Sequence, residues 1–102
     1  MPISDTLHKF NDENISISPT NKGVYALYVG DVTIYIGKAE GVNGIRERLQ
    51  AHKRGDEGTC TQEASTYSRE PCEAPTLRET ELLKEYQQRS HGRLPRCNER
   101  IG

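Results

Sequence analysis

The chain has 102 residues, 32% of them hydrophobic and 28% charged, with no tryptophan, so it fits one compact domain with a thin core and a well-solvated surface. Its formal net charge of −1, from 14 Lys+Arg against 15 Asp+Glu, excludes a general cationic coat for nucleic acid and confines any such contact to local patches. There is no apolar run of membrane-spanning length and no charged-then-apolar leader, so a soluble, cytoplasmic protein without a membrane partner is expected.

Residues 1–20 are polar apart from Leu7, Phe10, Ile15 and Ile17, and Pro19 closes them. They read as an arm or short helix packed on a domain that occupies 21–102. Gly23 to Val29 and Val32 to Gly37 are rich in β-branched and aromatic residues and are separated by Gly30-Asp31, which predicts a two-stranded hairpin with a two-residue turn. From Gly44 to Arg54, Ile45, Leu49 and Ala51 alternate with Arg46, Arg48 and Lys53. This spacing predicts an amphipathic helix with a basic face, Asn43 as N-cap and Gly55 just past its end.

After a glycine-containing loop at 55–58, residues 61–70 alternate loosely around Ala64, Thr66 and Tyr67, as a third strand would. Pro75 suits a first helical position, and Leu77, Leu82, Leu83 and Tyr86 predict a second amphipathic helix to about Arg89. From His91 onward Gly92, Pro95 and Asn98 point to irregular chain, with Arg93, Arg96 and Arg100 adding a basic tail. No repeat or low-complexity tract calls for a second domain. The expected fold is therefore α+β, a small three-stranded antiparallel sheet flanked by helices. Cys60, Cys72 and Cys97 are odd in number and lack a Cys-x-x-Cys pair, which argues against a disulfide framework and a four-cysteine zinc site and for free or buried thiols.

Gly23-Val24-Tyr25 is followed ten residues on by Tyr35-Ile36-Gly37, both on the predicted hairpin. Lys38-Ala39 comes next, then Arg48 and His52 four residues apart on the first long helix, Glu79 on the second, and Pro95-Arg96-Cys97-Asn98 near the end. This order over about 23–98 resembles the GIY-YIG nuclease family, with Val24 standing where the family name has isoleucine. The resemblance implies a divalent-metal-dependent endonuclease that hydrolyses phosphodiester bonds in DNA. It implies Tyr25, Tyr35, Lys38, Arg48, His52, Glu79 and Asn98 as the site and Glu79 as ligand of Mg²⁺ (or Mn²⁺); Glu81, the neighbouring carboxylate, is the alternative ligand.

The residue types suit that chemistry. Mg²⁺ keeps several waters and takes only one or two carboxylates, while a guanidinium fork and an ammonium oppose phosphoryl charge. A motif tyrosine is implied as general base, with Tyr25 favoured, Tyr35 sharing base and phosphate-orienting duties and His52 relaying or holding the proton. Such a phenol needs help from cations, since its ordinary pKa is about 10. Asn98 would tie the tail to the site.

Each residue also has an ordinary reading: the tyrosines as cross-strand packing, Arg48 and His52 as a solvated helix face, and Thr76-Leu77-Arg78-Glu79 as a helix capping box. The substrate expected is DNA in a branched, damaged or single-stranded form, with a protein partner supplying specificity. The rival readings are an inactive nucleic-acid-binding module of this fold and a protein-interaction domain.

Overall fold

The computed structural model describes residues 3 and 5–98; Arg100, and the outer ends of segments 1–20 and 21–102, lie outside the described residues. In chain order the elements are β1 (His8–Lys9), α1 (Asp12–Ser16), β2 (Gly23–Val29), β3 (Val32–Ala39), α2 (Gly44–Arg54), a 3₁₀ turn (Thr61–Glu63), β4 (Thr66–Pro71) and α3 (Pro75–Arg89). One antiparallel sheet runs β1-β4-β2-β3. Tyr25, Leu27, Tyr35 and Tyr67 on one face join Phe10, Ile15, Ile45 and Leu49 from the α1 and α2 side. Val24, Ala26 and Ile36 on the other face meet Leu82 of α3.

The sheet thus has four strands where three were expected. His8 pairs with Tyr67 and Lys9 with Thr66, and a strand of two residues is too short to show a period of two in the sequence. Just before it, the Asp5 carboxylate accepts hydrogen bonds from the Arg69 backbone N–H and guanidinium, both at 3.1 Å, fastening the N-terminal segment to β4. The strand foreseen at 61–70 starts later, because Thr61–Glu63 coils into the 3₁₀ turn first.

The β2–β3 hairpin contains one irregularity that governs the site. Leu27 pairs with Tyr35 and Tyr28 with Thr33, leaving Ile34 as an extra residue in a β-bulge. Strand side chains alternate between faces, so an unbroken β3 would have put Tyr35 on the same face as Thr33, beside α3. The bulge re-aims it. Tyr35 therefore joins Tyr25 on the α2 face.

Helix α2 begins after Asn43, whose side chain makes no cap bond. Its first amides are met by loop carbonyls instead: Ile45 donates to Asn21 at 3.0 Å and Arg46 to Pro19 at 2.9 Å. Gly55, at φ 90°, ends the helix in the left-handed conformation, which glycine adopts without a Cβ penalty. Helix α3 opens with Pro75 behind an Ala74 N-cap. The capping box does not form: the Thr76 hydroxyl donates to Glu40 at 3.2 Å and accepts from Lys38 at 2.9 Å.

The cysteine expectation is overturned. Cys60 and Cys97 are joined in a disulfide with Cα atoms 5.7 Å apart, and only Cys72 is free. Spacing along the chain could not reveal the pair, since the tail comes back to the loop before the 3₁₀ turn only in the folded structure. Among the described residues no helix is long and apolar enough to cross a membrane.

Candidate active site

Three rings form the centre. The Tyr25 and Tyr35 ring centroids are 6.1 Å apart, and His52 lies 5.5 Å from the first and 4.8 Å from the second. Tyr25 and His52 are fully buried and Tyr35 is 7% exposed. The close approach of the two phenol rings depends on Gly37, the cross-strand partner of Tyr25. A Cβ at that position would lie 2.6 Å from the Tyr25 hydroxyl and 2.7 Å from a Tyr35 ring carbon.

His52 is held at both nitrogens: Nε2 is 2.8 Å from the Tyr25 hydroxyl and Nδ1 is 2.9 Å from the Thr61 hydroxyl. Burial, assisted by the Arg48 charge, lowers its pKa to about 4, so the imidazole is neutral at physiological pH. Burial likewise raises both phenols, which the nearby Arg48 guanidinium opposes. The tyrosines rest protonated. The Tyr25 hydroxyl, His52 and the Thr61 hydroxyl thus form a continuous chain, and the Tyr35 ring packs against its first two members.

Arg48 stands one helical turn before His52. Its guanidinium acts electrostatically on Tyr25 and pairs with Glu57 at 3.1 Å. Glu57 comes from the loop between Gly55 and Gly58, both at positive φ. On the α3 side, Glu79 is half-buried, and its pKa is raised by that burial and by Glu40, against the attraction of Lys38. Its charge also acts on Tyr35. Lys38 is 3.6 Å from Glu40 and donates to Thr76. Glu81, the alternative carboxylate, is instead engaged by Arg78 at 3.4 Å.

Asn98 does not face the rings; it braces the strand that presents one of them. Its side-chain amide accepts from the Ile36 N–H and donates to the Ile36 carbonyl, both at 2.9 Å, copying the pattern of a neighbouring strand on the free edge of β3. Cys97 adds a bond from its N–H to the Ile34 carbonyl at 2.9 Å. The tail thereby secures the bulge and the residues on either side of it.

The structure thus gathers Tyr25, Tyr35, His52 and Arg48 into one contact network. Glu79 and Lys38 are coupled to it by charge, and Asn98 supports it from the edge. Thr61, Glu57 and the bulge at Ile34 were missed from the sequence. The run Val32 to Ile36 alternates apolar with hydroxyl-bearing residues and so concealed the bulge; nothing local tied position 52 to 61 or 48 to 57.

Among the described residues no group of three or more His, Cys, Asp or Glu forms a metal cage. The donor set fits a hard cation of the magnesium type nonetheless. A carboxylate raised by burial, with a second carboxylate adding to the shift, is stabilised by positive charge, and one such oxygen donor suffices where water and substrate complete the shell.

Comparison with solved structures gives this architecture, a bulged hairpin between an Arg/His helix and a Glu-bearing helix, the GIY-YIG nuclease fold. No protein-family profile matches the chain, and no curated protein matches it either. Among solved structures it is similar to the GIY-YIG N-terminal endonuclease domain of UvrC from Thermotoga maritima bound to its catalytic divalent cation, magnesium. That match has a TM-score of 0.63 and 23% identity over 83% of this chain and 91% of that one. Point mutants of the same domain, bound to the divalent cation, match equally well. One with tyrosine changed to phenylalanine has a TM-score of 0.64 at 22% identity, covering 83% of this chain and 91% of that one. One with asparagine changed to alanine has 0.64 at 23%, covering 83% and 90%.

Proposed function

We propose that the chain is a divalent-metal-dependent endonuclease hydrolysing phosphodiester bonds in DNA. The observation that carries this reading is the joined set of two phenols, a neutral imidazole and a guanidinium, with a destabilised carboxylate beside it. Glu79 would hold Mg²⁺, which supplies positive charge to the phosphoryl oxygens when bound. Arg48 and Lys38 add charge to the same oxygens, and the planar fork of Arg48 also orients the phosphate.

Both phenols rest neutral, so a free phenolate is an expensive base. A relay avoids it. Tyr35, the one ring of the three with solvent access, takes a proton from the attacking water and passes its own to Tyr25, which passes its own to His52 Nε2. Thr61 accepts from Nδ1–H and fixes the tautomer that leaves Nε2 free to receive. An arriving phosphate pairs with Arg48, cancels a charge that opposes imidazolium formation, and so favours the transfer. This ordering gives the base role to Tyr35 in preference to Tyr25, because Tyr25 is fully buried.

Plasmid nicking in Mg²⁺ or Mn²⁺ tests the reading, with Glu79→Ala, Arg48→Ala and Tyr35→Phe beside the wild type. Each variant is expected to lose roughly 100-fold or more, the usual cost of deleting a transition-state contact. Equal nicking by all four proteins would mean the reading is wrong. Salt-sensitive DNA binding without metal-dependent cutting would instead identify an inactive binding module.

A further inference from the structure

Beyond the chemical centre, the C-terminal end of α3 carries a feature the reaction does not use. An open groove of about 560 Å³ is lined by Tyr86, Ser90, His91, Arg93, Leu94 and Arg96. Its rim is an ordered turn: Gly92 N–H donates to Gln87 at 2.8 Å, Arg93 N–H to Ser90 at 3.1 Å, and Gln87 Nε2 to the Gly92 carbonyl at 3.1 Å. His91, at φ 56°, is the one non-glycine residue in the left-handed region among those described. That conformation belongs to the turn which sets its ring at the rim.

The groove combines aromatic surface with positive charge. Tyr86 is half-buried and His91, Arg93 and Arg96 are exposed. Arg96 pairs with Glu63 at 3.0 Å, whereas Arg93 has no ion-pair partner among the described residues. Rings that accept a stacked base, interleaved with guanidinium groups for the backbone, are what an unpaired strand requires. A duplex would keep its bases stacked inside and offer nothing to a recessed phenol.

Position connects the groove to the centre. Tyr86 follows Glu79 by seven residues, two turns of α3, so both project from the same helix face roughly 10 Å apart along the axis. Arg96 is two residues before Asn98, which braces β3 between Tyr35 and Gly37. With a net charge of only −1 for the whole chain, a local cationic groove is where a nucleic acid would be retained.

We infer that this groove seats the unpaired nucleic-acid strand flanking the scissile phosphate, with a base against Tyr86 and His91 and backbone phosphates on Arg93 and Arg96. The inference rests on the nuclease reading for its substrate. It assigns the selectivity for single-stranded or frayed DNA to this chain's own surface.

The test uses the full chain and a fluorescein-labelled 20-nucleotide single strand, read by anisotropy across a salt series, with kcat and KM for its cleavage measured in Mg²⁺. Arg93→Glu should weaken binding about tenfold and flatten the salt dependence, raising KM more than it lowers kcat. Arg93→Lys should restore most of the affinity. Lys84→Glu, the same charge change on the far side of α3, should bind as the wild type does. Tyr86→Leu, which keeps the apolar packing, should weaken single-strand binding and leave binding of a blunt duplex unmoved.

If wild type cuts while Arg93→Glu and Tyr86→Leu bind the single strand normally, the groove assignment is wrong and the nuclease reading stands. A loss for the duplex as large as that for the single strand would overturn the unpaired-strand assignment. Should wild type bind but fail to cut, the nuclease reading falls, and the variants still decide the groove. A wild type that neither binds nor cuts would overturn both.

Discussion

His52 has both ring nitrogens partnered inside the fold and no surface to solvent, which makes it a pH-sensitive residue for stability. Its folded-state pKa of about 4 lies below the ordinary 6.5, so between those values the unfolded chain takes up a proton that the folded chain refuses. Stability from this group is complete above pH 6.5, is lost progressively as the pH falls toward 4, and changes no further below that. The difference amounts to about 3 kcal/mol. Thermal unfolding followed from pH 7.5 to 4 should show a steep decline in the wild type and a shallower one in His52→Gln. Parallel curves would mean that His52 charges freely in the folded protein. The motif residues Tyr25, Tyr35, Arg48, His52 and Glu79 were legible as a set because their order along the chain is distinctive. Thr61 and Glu57 were not, since each acquires meaning only through a partner nine residues back that folding brings to it.

The hairpin and the two long helices were legible because each has its own period: the bounds expected for α2, Gly44 to Arg54, and for α3, Pro75 to about Arg89, are those found. The features that position the site interrupt a period instead of following one. The bulge at Ile34 brings Tyr35 to the α2 face, and Gly37 leaves the space in which the two phenols meet. Gly37→Ala places a Cβ 2.6 Å from the Tyr25 hydroxyl, and overpacking of this kind costs about 1–3 kcal/mol. The variant should melt several degrees lower, and at a temperature where it remains folded it should nick DNA far more slowly than wild type. Wild-type nicking by folded Gly37→Ala would show that the rings need not be held in this arrangement. Asn98→Ala acts on the same element from its edge, leaving the Ile36 N–H and carbonyl without their partner. A loss of about 1–2 kcal/mol is expected, read as a lower urea midpoint at unchanged slope.

Taken whole, the molecule has a thin core on each side of one sheet, and domains of this size hold together by about 5–15 kcal/mol. A covalent link is then a large share of the total. The Cys60–Cys97 bond closes a span of 37 residues that contains β4 and all of α3, and the loss of unfolded-chain entropy for a loop of that length corresponds to about 4 kcal/mol. The link also joins two supports of the site. Cys60 precedes Thr61, the partner of His52, and Cys97 precedes Asn98, the brace of β3. Cutting it should therefore weaken the fold and the centre together, a coupling that an odd count of cysteines in the sequence gave no means of seeing. Urea unfolding with and without dithiothreitol should show the midpoint falling on reduction. Cys60→Ser/Cys97→Ser should match the reduced wild type and gain nothing from oxidant. Cys72→Ser, which leaves the bond in place, should retain the full response. If the wild-type midpoint is the same in both redox states, the two sulfurs contribute packing alone, and the tail is held to β3 by its hydrogen bonds.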